Sequence, residues 1–318
     1  MIHADRPLAA PVHTTASPPP ELRAWVEASL GDRAAILHTG LLAQGREGGP
    51  WRVVVAVGDE QRDLVLKAAR PEPDELARFV TAAAALELAE AHAVPAPRPL
   101  AHDLEAATGW LTTLVTRLPG SSRIGRRIGV ARLRALGAAA AGIHRVTGSP
   151  TDELPERART LDGYDLDAGA TGTTSTPLLE RARAVLAEHA PPDDPPGFVH
   201  GDLWQGNTLW DDDDYVGAID WDFAGFGPAG IDLGSLRADV ALLHGADAAA
   251  EVLAGWCEAA GEAPPSLAWW DLVAGVATPD DLNGWLPNFH AQGRADLDLP
   301  TVTGRRDAFV LDALERLA

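Results

Sequence analysis

This chain of 318 residues has a single cysteine, Cys257, which rules out an internal disulfide framework and suits a reducing compartment. No apolar run is long enough to cross a membrane. Positive charge is scarce: 26 Lys and Arg face 46 Asp and Glu, giving a formal net charge of −20. A nucleic-acid or anionic-membrane partner would need a basic surface, so this balance argues against both. The first residues lack the charged and apolar regions of an export signal, and a cytoplasmic location is expected. Residues 1–20 include a stretch rich in Pro, Ala, Ser and Thr and read as a flexible lead-in.

Lysine is scarcer still. Of the 26 basic residues only Lys67 is a lysine. A compact ammonium and a broad planar guanidinium are not interchangeable, so a lysine surviving among arginines either marks a specific task or is there by chance.

The chain is 46% hydrophobic and long enough for one large domain or two lobes with a cleft. Its patterning predicts a helix over Pro20–Leu30, strands at Ala35–Leu42, Trp51–Val57 and Arg62–Ala69, and a helix over Asp74–His92 capped by Asp74. Strands near Arg98–His102 and Trp110–Arg117 follow, and Leu118-Pro119-Gly120 breaks the second. Helices then dominate, with a Gly/Thr-rich loop at Asp162–Thr176. The expectation is an α+β fold, an antiparallel-sheet N-lobe (21–118) before a helical C-lobe (119–318). Strand alternation puts Val65 on the face of Lys67, so if Lys67 reaches phosphates, Val65 lies over a nucleotide base.

The most informative run is His200-Gly201-Asp202-Leu203-Trp204-Gln205-Gly206-Asn207, followed by an apolar strand ending in Asp220. A carboxylate that can orient and deprotonate a hydroxyl (Asp202) thus sits near two oxygen ligands for magnesium (Asn207 and Asp220). Phosphoryl transfer from ATP needs that set. Asp222, two residues on, shares the face of Asp220 by alternation and could approach metal or acceptor. Acids and aromatics recur at Trp269-Trp270-Asp271, Asp280-Asp281 and Asn283-Gly284-Trp285. Asp280, Asp281 and Trp285 could hold an ammonium or stack a sugar. Trp25, Trp110 and Trp256 read as core. The acids Asp211–Asp214 read as a solvated turn.

His200-Gly201-Asp202-Leu203 with Asn207, Ile219-Asp220-Trp221, Gly227-Pro228 and Asp232-Leu233 together resemble the aminoglycoside phosphotransferase and choline kinase-like family. The likeness runs from about Ala35 onward, with weaker matches at Val94–Pro97, Val115–Gly120 and Ile143-His144. It implies a bilobal protein-kinase-like fold, ATP and Mg2+ as cofactors, and a small-molecule hydroxyl acceptor. It also implies that Asp202 is the base, that Asn207 and Asp220 hold magnesium, and that Lys67 meets the α- and β-phosphates. Backbone near Val115 to Arg117 would pair with adenine, His200 would brace the catalytic loop, and Asp232 would hold that loop by hydrogen bonds. The chain departs from the family at the helix acid that usually pairs with the strand lysine. The expected position falls near Ala82, leaving Glu75 or Glu87 as substitutes. Gly45–Pro50 is not a P-loop, although Gly48 and Gly49 could let backbone approach phosphates. The leading acceptor class is an amino sugar, aminoglycoside or related hydroxylated amine. A silent nucleotide-binding scaffold stays open, as do kinases for a macrolide, choline, a fructosamine or a neutral sugar. A protein kinase is disfavoured because no activation segment follows Asp220.

Overall fold

A computed structural model describes residues 17–42, 49–161 and 175–318. The lead-in before residue 17, Gly48 and most of the Gly/Thr-rich loop lie outside the described residues. The chain divides into two compact units, one ending at Pro119 and the other running from Gly120.

The first unit is an antiparallel sheet with two helices. Helix α1 (Pro20–Leu30) opens on a proline, whose missing N–H is no loss in a first turn, and buries Leu22 and Val26. Strands β1 (Ala34–Leu41), β2 (Trp51–Val57), β3 (Glu60–Ala69), β4 (Pro99–Asp103) and β5 (Leu111–Thr116) stand in the order β1-β2-β3-β5-β4. Alternation along β3 sends Leu64, Leu66 and Ala68 into a core with Trp51, Val53, Val55, Leu114 and the two α1 residues. Val65 and Lys67 take the other face, opposite Val115 and Thr113 of β5. Helix α2 (Pro73–Ala91) corrects the expected cap. Its N-cap is Glu72 with no side-chain bond, because Pro73 fits the first helical position and starts the helix before Asp74. Asp74 lies in the first turn, where its charge suits the helix dipole.

The second unit is helical around two small two-stranded sheets. It contains α3 (Val130–His144), α4 (Pro177–Glu188), α5 (Gly230–His244), α6 (Ala246–Ala260), α7 (Leu267–Val276), α8 (Leu286–Ala291) and α9 (Leu299–Leu317). Strands β6 (Pro196–Val199) and β9 (Gly225–Pro228) pair antiparallel, and β7 (Thr208–Asp211) pairs with β8 (Asp214–Ala218) as a hairpin. Asp211 to Asp214 are exposed at the hairpin end, as a solvated turn should be. Helix α5 is the hub: Gly230 through Ala238 and Val240 through Leu243 are buried. It carries Arg237, whose Nε and Nη2 each donate to Asp271 of α7 at 3.0 Å. Arg316 of α9 donates to the same carboxylate at 2.6 Å. This buried cluster ties three helices, and removing one partner of such a cluster typically costs about 3–5 kcal/mol. Among the described residues, no helix is long and apolar enough to cross a membrane.

Helices α3 and α6 approach at glycine. A Cβ on Gly255 would stand 2.0 Å from the Arg134 carbonyl oxygen, and one on Gly137 1.9 Å from that of Val252. Alanine in a helix interior ordinarily gains about 1 kcal/mol over glycine. Gly255→Ala is expected to do the reverse here and lower stability by about 1–3 kcal/mol in denaturant titration, because backbone must shift to admit the methyl.

Candidate active site

Strand β6 delivers the chain to His200 at a turn that only glycine can make. Gly201 sits at φ +78, and a Cβ there would lie 1.9 Å from the Phe223 carbonyl oxygen. The turn is fixed from beneath by Asp232 of α5, which is fully buried. Its carboxylate accepts the backbone N–H of His200 at 2.7 Å and of Gly201 at 2.8 Å. It also accepts His144 Nε2 at 3.1 Å. Burial alone would raise the Asp232 carboxyl, but these donors outweigh it and hold the group below the ordinary carboxylate range. His144 in turn accepts Trp256 Nε1 at its Nδ1, at 3.1 Å. Its proton therefore sits on Nε2, facing Asp232.

His200 joins the backbone of Asp202 to Ile219, the residue before Asp220. Its Nε2 donates to the Ile219 carbonyl at 2.9 Å, and its Nδ1 accepts the Asp202 backbone N–H at 3.3 Å. Burial drives its pKa down, consistent with a neutral ring carrying its proton on Nε2. Asn207, at the end of the 3-10 helix Gln205–Asn207, works in parallel. Its Nδ2 donates to the Asp202 carbonyl at 2.9 Å and to Asp202 Oδ2 at 3.1 Å. Its carbonyl accepts Ile219 N at 2.9 Å. Asp202 and Asn207 thus belong to one hydrogen-bonded framework with Ile219, the residue before Asp220.

The electrostatics of that framework are unusual. Asp202 is 1% exposed, and its carboxyl is pushed up to about 7, first by burial and further by the charge of Asp220. Asp220 follows the end of β8 at φ +68, a left-handed conformation that aspartate tolerates better than most residues. Strand alternation therefore does not carry Asp222 to its side. The strand ends at Ala218, and Asp222 is a buried residue of the following turn. Beneath lie Phe198, stacked on Trp221 at 5.5 Å, and buried Trp204 and Trp210.

Other expected residues stand as follows. In the sheet unit, Lys67 Nζ lies 6.0 Å from the centre of the Phe79 ring on α2. Glu75 is paired with Arg78 at 2.8 Å, and Glu87 is exposed. Arg117 donates through Nη1 to Asp63 at 3.3 Å, and Gly49 packs at φ +93 against the Trp51 ring. In the helical unit, Asp280 is paired with Arg183 at 2.7 Å, and Asp281 caps the 3-10 helix Leu282–Trp285 by accepting Asn283 N at 2.9 Å. Trp285 is buried. Sequence reading passed over Asp239, whose Oδ2 accepts both the backbone N–H and the side-chain Nε2 of Gln205, at 3.3 and 2.9 Å. A signal was present: Asp232, Ser235 and Asp239 fall on one stripe, i, i+3, i+7, of an otherwise apolar helix.

The donor set fits a divalent cation. Asn207 spends its N–H donors on Asp202 and keeps an amide oxygen, and a dication would ease the charge of Asp220 that pushes the Asp202 carboxyl up. Among the described residues, no group of three or more His, Cys, Asp or Glu is placed to hold a metal.

Comparison with known proteins places this geometry. The structure is similar to amicoumacin kinase hAmiN in complex with AMP-PNP, Ca2+ and Ami, at 13% identity and TM-score 0.58, covering 92% of this chain and 94% of that one. It is similar to the macrolide 2'-phosphotransferase MphH of Brachybacterium faecium, at 18% identity and TM-score 0.55, covering 86% and 90%. It is also similar to a thermostable aminoglycoside phosphotransferase in complex with ADP and hygromycin B, at 18% identity and TM-score 0.54, covering 91% and 98%. These likenesses establish the protein-kinase-like fold. No curated protein sequence matches the chain. The model of the phosphotransferase enzyme family APH matches residues 45–270, which contain the whole His200–Asp232 framework. The chain is a member of the APH phosphotransferase enzyme family.

Proposed function

We propose that this protein transfers the γ-phosphate of ATP, with Mg2+, to a hydroxyl of a small molecule. The observation that carries the reading is the framework holding buried Asp202 to Asn207 and, through His200 and Ile219, to the segment of Asp220. Similar structures that hold AMP-PNP or ADP beside an antibiotic support it. Asp202 orients the acceptor hydroxyl and takes its proton, and a base with a value of about 7 is well placed for this near neutrality. Asn207 Oδ1 and the Asp220 carboxylate are the ligands for magnesium, which when bound offsets phosphate charge. His200 and Asp232 keep the loop in place. In the sheet unit, Lys67 is assigned the α- and β-phosphates, Val65 the base, the Val115–Arg117 backbone adenine, and Gly48 and Gly49 a backbone approach to phosphate. The acceptor is assigned to hydroxylated small molecules, amino sugars and aminoglycosides first.

ADP release from MgATP, measured across aminoglycosides, amino sugars, macrolides, choline and neutral sugars, tests this. Release that depends on one acceptor class supports the reading. Binding of ATP and Mg2+ with no acceptor-dependent release marks a silent binding protein instead.

Asp202→Asn is expected to lower kcat by about 10²–10⁴-fold while the thermal shift with ATP persists. Wild-type kcat/KM for the acceptor should rise as Asp202 loses its proton around pH 7. Stability runs the opposite way. The folded value lies above the unfolded one, so the stabilisation from a protonated Asp202 is complete below about pH 4 and is lost as pH climbs through about 7. In metal-free buffer above neutrality, the always-neutral Asp202→Asn protein should therefore melt higher than wild type.

Trp256→Phe keeps the ring and removes the N–H that fixes the His144 proton on Nε2. Nitrogen-15 shifts of His144 should then report mixed tautomers, and kcat should fall about fivefold, the size of one lost hydrogen bond, with KM for ATP little changed. Unchanged shifts would mean that Asp232 alone sets the tautomer.

A further inference from the structure

The segment Thr151–Leu161 of the helical unit forms neither helix nor strand, yet it is bonded beside both acids of the site. Arg157 lies along β9: its N–H donates to the Phe226 carbonyl at 2.8 Å, and the Phe226 N–H donates to the Pro155 carbonyl at 3.0 Å. Two glycines admit this approach. A Cβ on Gly225 would stand 2.2 Å from the Pro155 oxygen, and one on Gly227 2.4 Å from that of Arg157. The Arg157 side chain reaches further, and its Nε and Nη2 both donate to the Ala224 carbonyl, at 3.1 and 3.0 Å. The Ala224 N–H returns to the Trp221 carbonyl at 3.2 Å and so closes the turn that begins immediately after Asp220. At the other end of the segment, Leu161 is buried in one cluster with Trp204 and Phe223 and donates its N–H to the Gly201 carbonyl at 2.8 Å. The Gly201–Asp202 peptide is thus held at its oxygen by Leu161 and at its N–H by His200. Leu161 stands at φ +52, a left-handed conformation that a side chain of this size rarely adopts. Such strain persists only where surrounding contacts fix it, and it gathers at functional sites.

We propose that Arg157 is a positioning residue for the metal-holding acid, and that Thr151–Leu161 is a strap fixing the placement of Asp220 relative to Asp202. The role rests on the phosphotransferase reading, and the strap rests on the contacts alone. Asp220 needs such support, since β8 ends at Ala218 and Asp220 itself stands at φ +68. The tie through His200 reaches the residue before it, and Arg157 holds the turn after it. A planar guanidinium places two donors on one carbonyl oxygen and so fixes the direction of Ala224 as well as its distance. A lysine ammonium, a compact point charge on a flexible stem, would not. The fork therefore carries the role, and the charge alone does not replace it. With the fork in place, the Asp220 segment is ordered before a dication arrives. Without it, part of the binding free energy of the metal goes into ordering that turn, and affinity falls.

The test compares the full wild-type chain with Arg157→Gln, which removes the charge and the fork, and Arg157→Lys, which keeps the charge. Amide hydrogen exchange is followed in metal-free buffer without nucleotide. In both variants exchange should quicken about tenfold at Ala224 and also at Gly201 and Asp202, at the far end of the strap, while the amides of α6 keep their rates. Mn2+ binding in the presence of ADP, read by water-proton relaxation, should weaken about tenfold in both. Exchange that quickens at Ala224 alone marks the arginine as a local prop and overturns the proposal. Unchanged Mn2+ affinity in the variants overturns it as well, as does Arg157→Lys behaving like wild type. If Arg157→Gln fails to fold, Arg157→Lys against wild type decides by the same criteria. With MgATP and the acceptor that gives most ADP in the panel above, the Mg2+ needed for half-maximal rate should rise about tenfold, with the acceptor KM changed by less than about twofold. If no acceptor is phosphorylated by wild type, the phosphotransferase reading fails, while exchange at Gly201 and Asp202 still decides whether the strap joins the two segments.

Discussion

The buried carboxylate of Asp232 is the constraint on which the rest of the site depends. A charge taken out of water is costly unless donors surround it, and here the three donors come from two other segments: the His200–Gly201 turn and the end of α3. The carboxylate must keep those partners to remain buried. The backbone of the catalytic turn is therefore positioned by an electrostatic requirement of the core of α5, and a loop that would otherwise be mobile inherits the stiffness of the central helix.

Two kinds of wholly or partly buried carboxylate occur in the helical unit. Asp232 and Asp271 are surrounded by donors and serve the architecture. Asp202 and Asp239 are underprovided: burial outweighs their hydrogen bonds, and both carboxyls are pushed up. Groups held away from their ordinary protonation by an otherwise well-satisfied interior tend to be those with chemical work.

Much of the fold was readable because alternation and helical period are local. Leu64, Leu66 and Ala68 against Val65 and Lys67 declare the strand and its two faces directly. The errors have physical reasons. Proline at the first helical positions displaces a start: α2 begins at Pro73, before Asp74. Strands β6 and β9 went unseen because each is a four-residue strand. Of the site, Asp202, Asn207 and Asp220 could be read from spacing, since one short turn carries the first two and a hairpin returns the third. Asp239 shows in the sequence only as a polar position on the Asp232 stripe of an apolar helix, and its partner Gln205 is supplied by the fold. Likewise Trp256 reads as packing alone, and only the fold brings its N–H to His144.

The links through His200 and Asn207 carry one more consequence. The amide of Asp202 ends on His200, the amide of Ile219 ends on Asn207, and the His200 ring ends on Ile219. None of these bonds can be released without exposing a buried member of the same ring of contacts. The two acidic segments, 18 residues apart in sequence, are therefore tied through three bonds that share His200, Asn207 and Ile219. A substitution that moves either segment therefore moves the other's backbone partner with it.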